Sequence, residues 1–191
     1  FGKASTSLWS RDLRTRDLAP PRRLTPAGWN VNSPAFSGDG ASVYFLSSQS
    51  GTQQVYALPA TGGAPVQLTR YELDVGSFKV SPDGSRLAVS LDVFPECGQD
   101  LACTVRRLDE RKQAKASGVL HGQLLARHWD TWSDGRLSQL FVTTPSTGKT
   151  QAASVRIGAG DGAPGNVPSK PFGGSDEYAW SPDSASIVFA M

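Results

Sequence analysis

The sequence has few of the residue types that form metal centres and nucleophilic active sites. It contains two histidines, two cysteines and one methionine among 191 residues. It also has no Gly-x-Ser-x-Gly pentapeptide, the turn that exposes the nucleophile of many hydrolases. The segment at residues 173–177, Gly-Gly-Ser-Asp-Glu, lacks the second glycine. These absences predict that the chain has no catalytic residue, no metal site and no cofactor of its own.

Long hydrophobic runs and a strong charge of one sign are missing as well. The apolar run at residues 43–46 is strand-sized, and no run in the sequence approaches the roughly 20 residues that a membrane-spanning helix needs. The net charge of +2 is too small for binding driven by phosphate neutralisation, so we expect no membrane span and no nucleic-acid partner. One basic cluster is interleaved with Asp109 and Glu110, which is typical of a solvated helix face. The cluster consists of Arg106, Arg107, Arg111, Lys112 and Lys115.

Glycine and proline, by contrast, are frequent and lie between short β-rich runs. The chain has 20 glycines and 13 prolines, and this spacing of turn residues is typical of an all-β protein. Because the chain begins at Phe1 and not at a methionine, we expect that an N-terminal portion was removed or not included.

Three segments repeat one pattern: a short strand, a turn related to Ser-Pro-Asp-Gly, and a second strand. They are residues 33–45, 76–89 and 177–189. In such a turn proline presets φ, the aspartate accepts hydrogen bonds from the amides ahead of it, and glycine takes positive φ at little cost. The turn aspartates are Asp39, Asp83 and Asp183, and the mild departures are Gly38 in place of proline and Ser184 in place of glycine.

A second hairpin follows the first repeat, with strands at residues 54–58 and 65–69 and a turn at 61–64. Four strands therefore fill one period, and Asp39 and Asp83 are 44 residues apart. The blades of WD40-like propellers have four strands and about 40–45 residues. The sequence predicts an incomplete β-propeller of four-stranded antiparallel blades.

The predicted blades divide the chain into four parts of one propeller domain. These are the outer half of a blade at residues 1–27, a complete blade at 28–70, a complete blade with an insertion at 71–170, and the inner half of a blade at 171–191. The insertion, at about 92–136, accounts for the 100 residues between Asp83 and Asp183. Within it we predict a helix, because Val105, Leu108 and Ala116 share one face and Gly118 follows as a C-terminal stop.

Cys97 and Cys103 lie in this insertion with five residues between them. The spacing suits a small disulfide loop, and two free buried thiols are the second interpretation. A metal site is the least favoured one, because it needs further ligands and the histidines, His121 and His128, lie well downstream. A disulfide would indicate a periplasmic or secreted protein.

The segment at residues 127–136 has an unusual composition, with two tryptophans, two aspartates, two arginines and a histidine. One interpretation is a patch that faces a cavity or a neighbouring domain. That patch would consist of Arg127, His128, Trp129, Asp130 and Trp132. In the favoured structural interpretation the two tryptophans pack under the insertion, Asp130 caps a turn, and residues 134–135 form a hairpin turn.

The Ser-Pro-Asp-Gly turns and the Gly-Gly…Leu-Thr hairpins resemble the WD40-like propeller repeats of the periplasmic Tol protein and of prolyl oligopeptidase-like serine peptidases. Residues 127–135, Arg-His-Trp-Asp-Thr-Trp-Ser-Asp-Gly, follow a cysteine-containing insertion. This combination is similar to the N-terminal propeller of the acylaminoacyl-peptidase and dipeptidyl-peptidase branch, close to the type-five dipeptidyl peptidases. The resemblance covers nearly the whole chain.

The resemblance implies that the parent protein is a periplasmic serine exopeptidase. In that family the propeller caps a C-terminal α/β-hydrolase domain, screens peptide substrates by size and helps to shape the specificity pocket. The catalytic Ser, Asp and His belong to the hydrolase domain, so the resemblance assigns none of them to this chain. The alternative is a Tol-type propeller that binds proteins without catalysis.

The two half-blades also imply a partner. An exposed blade face and an unpaired edge strand favour aggregation unless another surface covers them. Because one end supplies an outer hairpin and the other an inner hairpin, we expect two chains to join head to tail as a homo-oligomer. Three blade equivalents from each chain would form a six-bladed ring with twofold symmetry.

Overall fold

The computed structural model describes residues 5–14, 20–114, 118, 127–128, 131–157 and 165–191. Its strands are β1 (Trp9–Ser10), β2 (Arg22–Arg23), β3 (Val31–Phe36), β4 (Ser42–Ser47), β5 (Gln54–Pro59), β6 (Val66–Gln67), β7 (Val75–Val80), β8 (Leu87–Val93), β9 (Arg127–His128), β10 (Thr131–Trp132), β11 (Leu137–Thr143), β12 (Ser154–Ile157), β13 (Tyr178–Trp180) and β14 (Ile187–Phe189). The described helical elements are α1 (Leu101–Gln113) and two 3₁₀ turns, Pro95–Cys97 and Ser175–Glu177. Neither α1 nor the 3₁₀ turns are long and apolar enough to cross a membrane.

Two four-stranded sheets form the centre of the chain. The first sheet has the order β3-β4-β5-β6 and the second has the order β7-β8-β11-β12, with antiparallel pairing throughout. The remaining described strands form the two-stranded sheets β1-β2, β9-β10 and β13-β14. The predicted fold class is confirmed: the chain is mostly β, with four-stranded antiparallel blades and one helical insertion. The part of the chain that the structure describes does not form a closed ring of blades.

Each four-stranded sheet has buried side chains on both faces. Successive side chains of a strand point to opposite sides of the sheet, so neighbouring residues pack in different clusters. In β4, Phe45 packs with the β1-β2 side of the molecule, whereas Leu46 packs toward the second sheet. In β8, Val89 packs toward the first sheet and Ala88 toward β13. The units therefore stack in chain order, each sheet lying between its neighbours, as blades do.

The contact between the two four-stranded sheets is the largest apolar cluster, and we call it the middle cluster. Its buried members are Leu46, Val55, Leu68, Tyr71, Leu73, Val75, Phe78, Leu87, Val89, Leu91, Val93 and Phe141. Both sheets and the connection between them contribute to it. Burial of one such side chain contributes roughly 1.5–3 kcal/mol, so this cluster dominates the stability of the pair of sheets.

A buried glutamine holds the connection between the two sheets. Gln54 of β5 has no exposed surface, and its Nε2 donates to the carbonyl oxygens of Tyr71 and Leu73 at 2.9 and 3.0 Å. Its Oε1 accepts from the Tyr71 amide at 3.0 Å and from Thr69 Oγ1 at 2.8 Å. The irregular backbone after β6 thus obtains from one side chain the hydrogen bonds that a strand would obtain from its neighbour.

The three repeat turns have the same hydrogen bonds. In each of them the aspartate accepts from the serine hydroxyl two residues before it, at 2.5 Å for Asp39, 2.6 Å for Asp83 and 2.5 Å for Asp183. Each carboxylate also accepts from the amide two residues after it at 3.0 Å. These bonds favour the charged form and lower the pKa of all three aspartates below its usual value.

The turns also contact one another, and this explains the two departures from the repeat. A Cβ on Gly38 would lie 2.6 Å from the carbonyl oxygen of Pro82 in the second turn, so no side chain fits there. Ser184 has φ 61 and is buried, and its hydroxyl accepts from the Asp83 amide at 3.1 Å. Gly38 is therefore required by contact between the first two turns, and Ser184 bonds the third turn to the second.

The insertion connects β8 to β11 and contains α1. Leu101, Val105 and Leu108 pack against the middle cluster, so the predicted apolar face exists for these positions. The predicted extension of the helix to a stop at Gly118 is wrong, because α1 ends at Gln113 and Ala114 is already extended with ψ 128. Ala116 lies outside the described residues. A short helix depends on tertiary packing for its stability. After Leu108 no described residue of α1 packs against the middle cluster, which explains why the helix ends soon afterwards.

A disulfide joins Cys97 to Cys103, with a Cα–Cα distance of 5.6 Å, and no cysteine is free. The free-thiol and metal interpretations of this pair are therefore wrong. The bond links the Pro95–Cys97 turn to the first turn of α1. In the basic cluster Arg106, Arg111 and Lys112 are exposed, as predicted for a solvated helix face. The Arg107 and Arg111 guanidinium groups also lie 4.4 and 4.5 Å from the ring centre of buried Phe94.

Substitution of Gly38 tests the contact between the first two turns. We expect Gly38→Ala to lower the free energy of unfolding by about 1–3 kcal/mol, because a backbone carbonyl cannot move away from the new methyl group without distorting its turn. Gly118→Ala is the matched control, since a Cβ there has no neighbour within 4 Å among the described residues. Urea unfolding followed by circular dichroism measures both variants, and equal midpoints would contradict the contact.

The turn carboxylates predict how stability depends on pH. Their pKa values are lowered in the folded chain, so the folded state binds fewer protons than the unfolded state in acid. The stability that they contribute is present above the unfolded pKa of about 4 and is lost as the pH falls through the folded values.

We therefore expect Asp83→Asn to lower the stability at neutral pH and to make the loss between about pH 5 and pH 2 shallower than in the wild type. Asp176→Asn, outside the turns, is the control and should keep the wild-type slope. Urea unfolding midpoints measured across this pH range give the slope for each variant. An unchanged slope in Asp83→Asn would show that the turn carboxylate does not stabilise the fold.

Candidate functional site

The inner edge strands of the two four-stranded sheets, β3 and β7, are both interrupted near their middle. The pairing of β3 with β4 shifts between Asn32 and Ala35, and the pairing of β7 with β8 shifts between Val75 and Phe78. Ser33, inside the first irregularity, has φ 52, which costs a serine about 1–3 kcal/mol. Bulges and strained residues of this kind are common beside functional sites.

A chain of side-chain amides joins the two irregular strands. The Ser33 hydroxyl donates to Asn32 Oδ1 at 3.0 Å, and Asn32 Nδ2 donates to Gln53 Oε1 at 3.1 Å. Gln53 Nε2 donates in turn to the carbonyl oxygen of Val75 at 2.8 Å. The backbone N–H of Gln53 donates to Asp74 Oδ1 at 2.6 Å, which fixes the main chain from which this side chain extends. The strained segment of β3 is thereby held against β7.

A cavity of about 290 Å³ lies between β3 and β7, and we call it the inner-strand cavity. It is lined by Ser33, Pro34, Ala35, Phe36, Phe78, Lys79, Val80 and Ser175. Phe36 is 66% exposed, whereas Phe78 belongs to the middle cluster, so one aromatic ring is available to a ligand and the other forms the wall. Ligand cavities start at roughly 300 Å³, so this one suits a single side chain or a chain end.

Lys79 is the charged residue among those that line the inner-strand cavity. Its Nζ donates to the carbonyl oxygen of Tyr178 at 2.6 Å and lies 5.6 Å from the centre of the Tyr178 ring. Among the residues that the structure describes, no ion pair involves Lys79. An ammonium group has three donors, so Lys79 can still bind an anionic group.

The neighbouring Tyr178 is held in place by a buried hydroxyl cluster. Its hydroxyl lies 3.0 Å from Ser77 Oγ, which lies 2.9 Å from Ser90 Oγ. Burial raises the pKa of Tyr178 far above its usual value, so the phenol remains neutral. Trp180 Nε1 donates to the Lys79 carbonyl oxygen at 3.2 Å. These bonds fix β13 against β7 and with it the carbonyl group that orients Lys79.

The sequence interpretation did not identify Lys79, although the repeat contains a signal for it. When the three repeats are aligned on their turn aspartates, Lys79 occupies the position of Ala35 and Ala179. The turn pattern does not require a long charged side chain at this position, because the other two repeats have alanine there. The lysine therefore stands out when the repeats are compared. The proximity of Ser175 and Phe36 to Lys79 had no signal in the sequence, because it depends on how the sheets stack.

The structure describes only part of the predicted patch. Arg127 and His128 form β9 and pair with β10, and Trp132 of β10 is 58% exposed. The predicted packing of the two tryptophans under the insertion stays a prediction, because much of the insertion lies outside the described residues. Trp129 and Asp130 lie outside the described residues. Trp132, the patch residue whose side chain the structure describes, is not among the residues that line the cavity.

The predicted turn at residues 134–135 connects β10 to β11. Gly135 has φ 84, and Asp134 Oδ1 accepts from the Arg136 amide at 3.0 Å. The Asp134 carbonyl oxygen accepts from Arg111 of α1 at 2.5 Å. This turn therefore attaches the end of the insertion to its own helix, and it is not the turn within the β9-β10 hairpin.

The chain is similar in sequence to two curated proteins. It is 27% identical over 192 residues to Dipeptidyl-peptidase 5 of Porphyromonas gingivalis, which covers 100% of this chain and 26% of that protein. It is 26% identical over 193 residues to Dipeptidyl-peptidase 5 of Porphyromonas endodontalis, covering 98% of this chain and 25% of that protein. No protein-family model matches the chain.

Among solved structures, the chain is similar to a TolB protein of Agrobacterium tumefaciens, with a TM-score of 0.42 and 16% identity over 72% of this chain and 36% of the other. The chain spans about a quarter of the length of the curated relatives that it matches. The resemblance to the dipeptidyl-peptidase branch, expected from the repeats and the insertion, is confirmed. The chain is a propeller-type segment that is related to a quarter of the length of proteins named dipeptidyl-peptidase 5.

Proposed function

We propose that this chain is the non-catalytic propeller part of a serine exopeptidase of dipeptidyl or acylaminoacyl type. The observation that carries the proposal is the match over its full length to about a quarter of two dipeptidyl peptidases. In this proposal a C-terminal α/β-hydrolase domain supplies the catalytic residues, since the present sequence contains no Gly-x-Ser-x-Gly turn.

The role that we assign to the propeller is control of access. Stacked blades surround a passage lined by their inner strands, and folded proteins are too wide for such a passage. The inner strands β3 and β7 carry the exposed Phe36 and the inner-strand cavity, both available to a peptide. A peptide that reaches the hydrolase domain along this path would contact them first.

We also propose a periplasmic or secreted location. The Cys97–Cys103 disulfide supports it, because such bonds persist in oxidising compartments and are rare in the cytosol. Fractionation of the native cells by osmotic shock, with immunodetection of the parent protein, tests the location directly.

The proposed activity can be tested with the full-length parent protein and the 191-residue chain side by side. We expect the parent to release 4-nitroaniline from dipeptidyl or acetyl-aminoacyl anilides and to react with a fluorophosphonate probe of serine nucleophiles. The chain alone should do neither, because it has no nucleophile turn. Labelling or turnover by the chain alone would contradict the proposal, as would a parent that is inert toward every such substrate.

The access role has a separate readout in the same assay. The parent should cleave short peptides and spare a compact folded protein whose free N-terminal sequence matches them. Equal rates per chain end on both substrates would show that the propeller does not restrict entry.

We further propose that two copies of this chain pair through their two-stranded sheets. In β14, which pairs with β13 alone among the described strands, Val188 is 70% exposed. In and beside β1, Trp9 and Leu13 are 60% and 77% exposed. A two-stranded inner hairpin and a two-stranded outer hairpin together make one four-stranded blade, so each copy would complete the other.

Sedimentation equilibrium tests the pairing. We expect the isolated chain to have twice the mass of one copy, and Val188→Asp to shift it to the monomer, because a buried unpaired carboxylate is costly. Val155→Asp is the matched control, since Val155 is 59% exposed on β12, and it should remain dimeric. A monomeric wild type, or dissociation by both variants alike, would overturn the pairing.

A further inference from the structure

The inner-strand cavity has a chemical character that the proposed function does not specify. One cation, Lys79, is surrounded by the apolar side chains of Pro34, Phe36 and Val80 and by the hydroxyl-bearing Ser33 and Ser175. Lys79 is half-buried, and its contacts within the described chain are a carbonyl oxygen and an aromatic ring, not a carboxylate. A cation in such a place attracts a compact anion more strongly than a fully solvated lysine does.

Two charged groups near this region are already engaged, and the carboxylate of Asp176, which follows Ser175, is exposed to solvent. Glu177, at the end of the 3₁₀ turn that carries Ser175, accepts from the Ser169 amide and the Ser169 hydroxyl, both at 2.6 Å. Arg86 lies over the Trp180 ring and donates to the Ser184 carbonyl oxygen. Lys79 is therefore the charged group of the cavity that has donors left for a ligand.

The composition of the cavity selects the class of anion. A phosphate group is held by several donors or by arginine forks, and the cavity lining contains one lysine and no arginine. A carboxylate carries a single charge and needs fewer donors, and the adjacent Pro34 and Phe36 provide contact for an apolar side chain. An apolar residue next to a carboxylate is what a peptide chain end or an acidic peptide presents.

We propose that the inner-strand cavity is a subsite for the carboxylate of a peptide, in which the Lys79 ammonium pairs with the carboxylate and Phe36 contacts the neighbouring apolar side chain. The hydroxyl group of Ser175 is the additional donor. The series from Ser33 through Asn32 and Gln53 to Val75 holds the rim in this shape. The inference rests on the proposed function in one respect, that peptides reach the inner strands.

Binding of three small peptides to the 191-residue chain tests the subsite. The probes are N-acetyl-alanyl-phenylalanine as the free acid, the same peptide as its C-terminal amide, and N-acetyl-glutamyl-phenylalanine amide. Titration followed by nuclear magnetic resonance shifts gives the three dissociation constants. We expect at least one carboxylate-bearing peptide to bind about fivefold tighter than the neutral amide, and this ratio to decrease as salt is added.

The two charged peptides distinguish the sources of the carboxylate. Tighter binding of the free acid identifies a chain end, and tighter binding of the glutamyl amide identifies an acidic side chain. Either result supports the subsite. Equal dissociation constants for all three peptides in the wild type would overturn it.

Three variants assign the preference to Lys79. Lys79→Gln should abolish the fivefold ratio, and Lys79→Arg, which keeps the charge, should retain most of it. Lys112→Gln is the matched control, because Lys112 is an exposed lysine on α1, remote from the lining residues, and it should bind all three peptides as the wild type does. Circular dichroism checks the fold of each variant, and a ratio that survives in folded Lys79→Gln would overturn the assignment.

The outcome is separable from that of the proposed function. Turnover of uncharged dipeptidyl anilides by the parent does not require a carboxylate subsite. An active parent whose propeller chain shows no carboxylate preference would refute the subsite alone. A chain with the preference and a parent without peptidase activity would refute the proposed function and leave a carboxylate-binding cavity.

Discussion

Phe78, Val89 and Phe141 of the second sheet and Leu46 and Val55 of the first share one buried apolar cluster. The same cluster receives the connection between the sheets and one face of α1. The other two apolar clusters lie on the outer faces of the two sheets that this cluster joins. Because apolar burial is not directional, it sets the distance between the sheets but not their alignment. Polar groups supply the alignment, and Gln54 is the clearest case, since it binds the connecting backbone on both its donor and its acceptor side.

A second set of polar contacts aligns the inner edge of the blades. The first turn fits against Pro82 because Gly38 has no side chain, and the third turn is bonded to the second through Ser184. With the turns in contact, β3, β7 and the 3₁₀ turn before β13 come close enough to enclose the inner-strand cavity. The site is therefore a consequence of blade stacking, and loss of any one turn contact would change its shape.

The insertion has a different basis of stability. Its described part is attached to the second sheet by three means: the apolar face of α1, the Cys97–Cys103 disulfide, and the two guanidinium groups against Phe94. A disulfide stabilises a short segment mainly by restricting its unfolded conformations, which suits a loop that cannot bury enough surface. The sequence relatives match the chain throughout its length, so the propeller-type sheets and the insertion both belong to the shared segment.

The amino-acid sequence by itself determined the features that depend on neighbouring residues. The spacing of Asp39 and Asp83, the serine–aspartate turn chemistry and the alternation of apolar residues sufficed to predict strands, hairpins and four-stranded sheets, because each is a matter of local geometry. The tertiary structure decided everything that joins distant positions: why residue 38 is a glycine, where α1 ends, and which side chains surround Lys79. These features depend on contacts between residues up to about a hundred positions apart, such as Ser77 with Tyr178, and no local pattern encodes them.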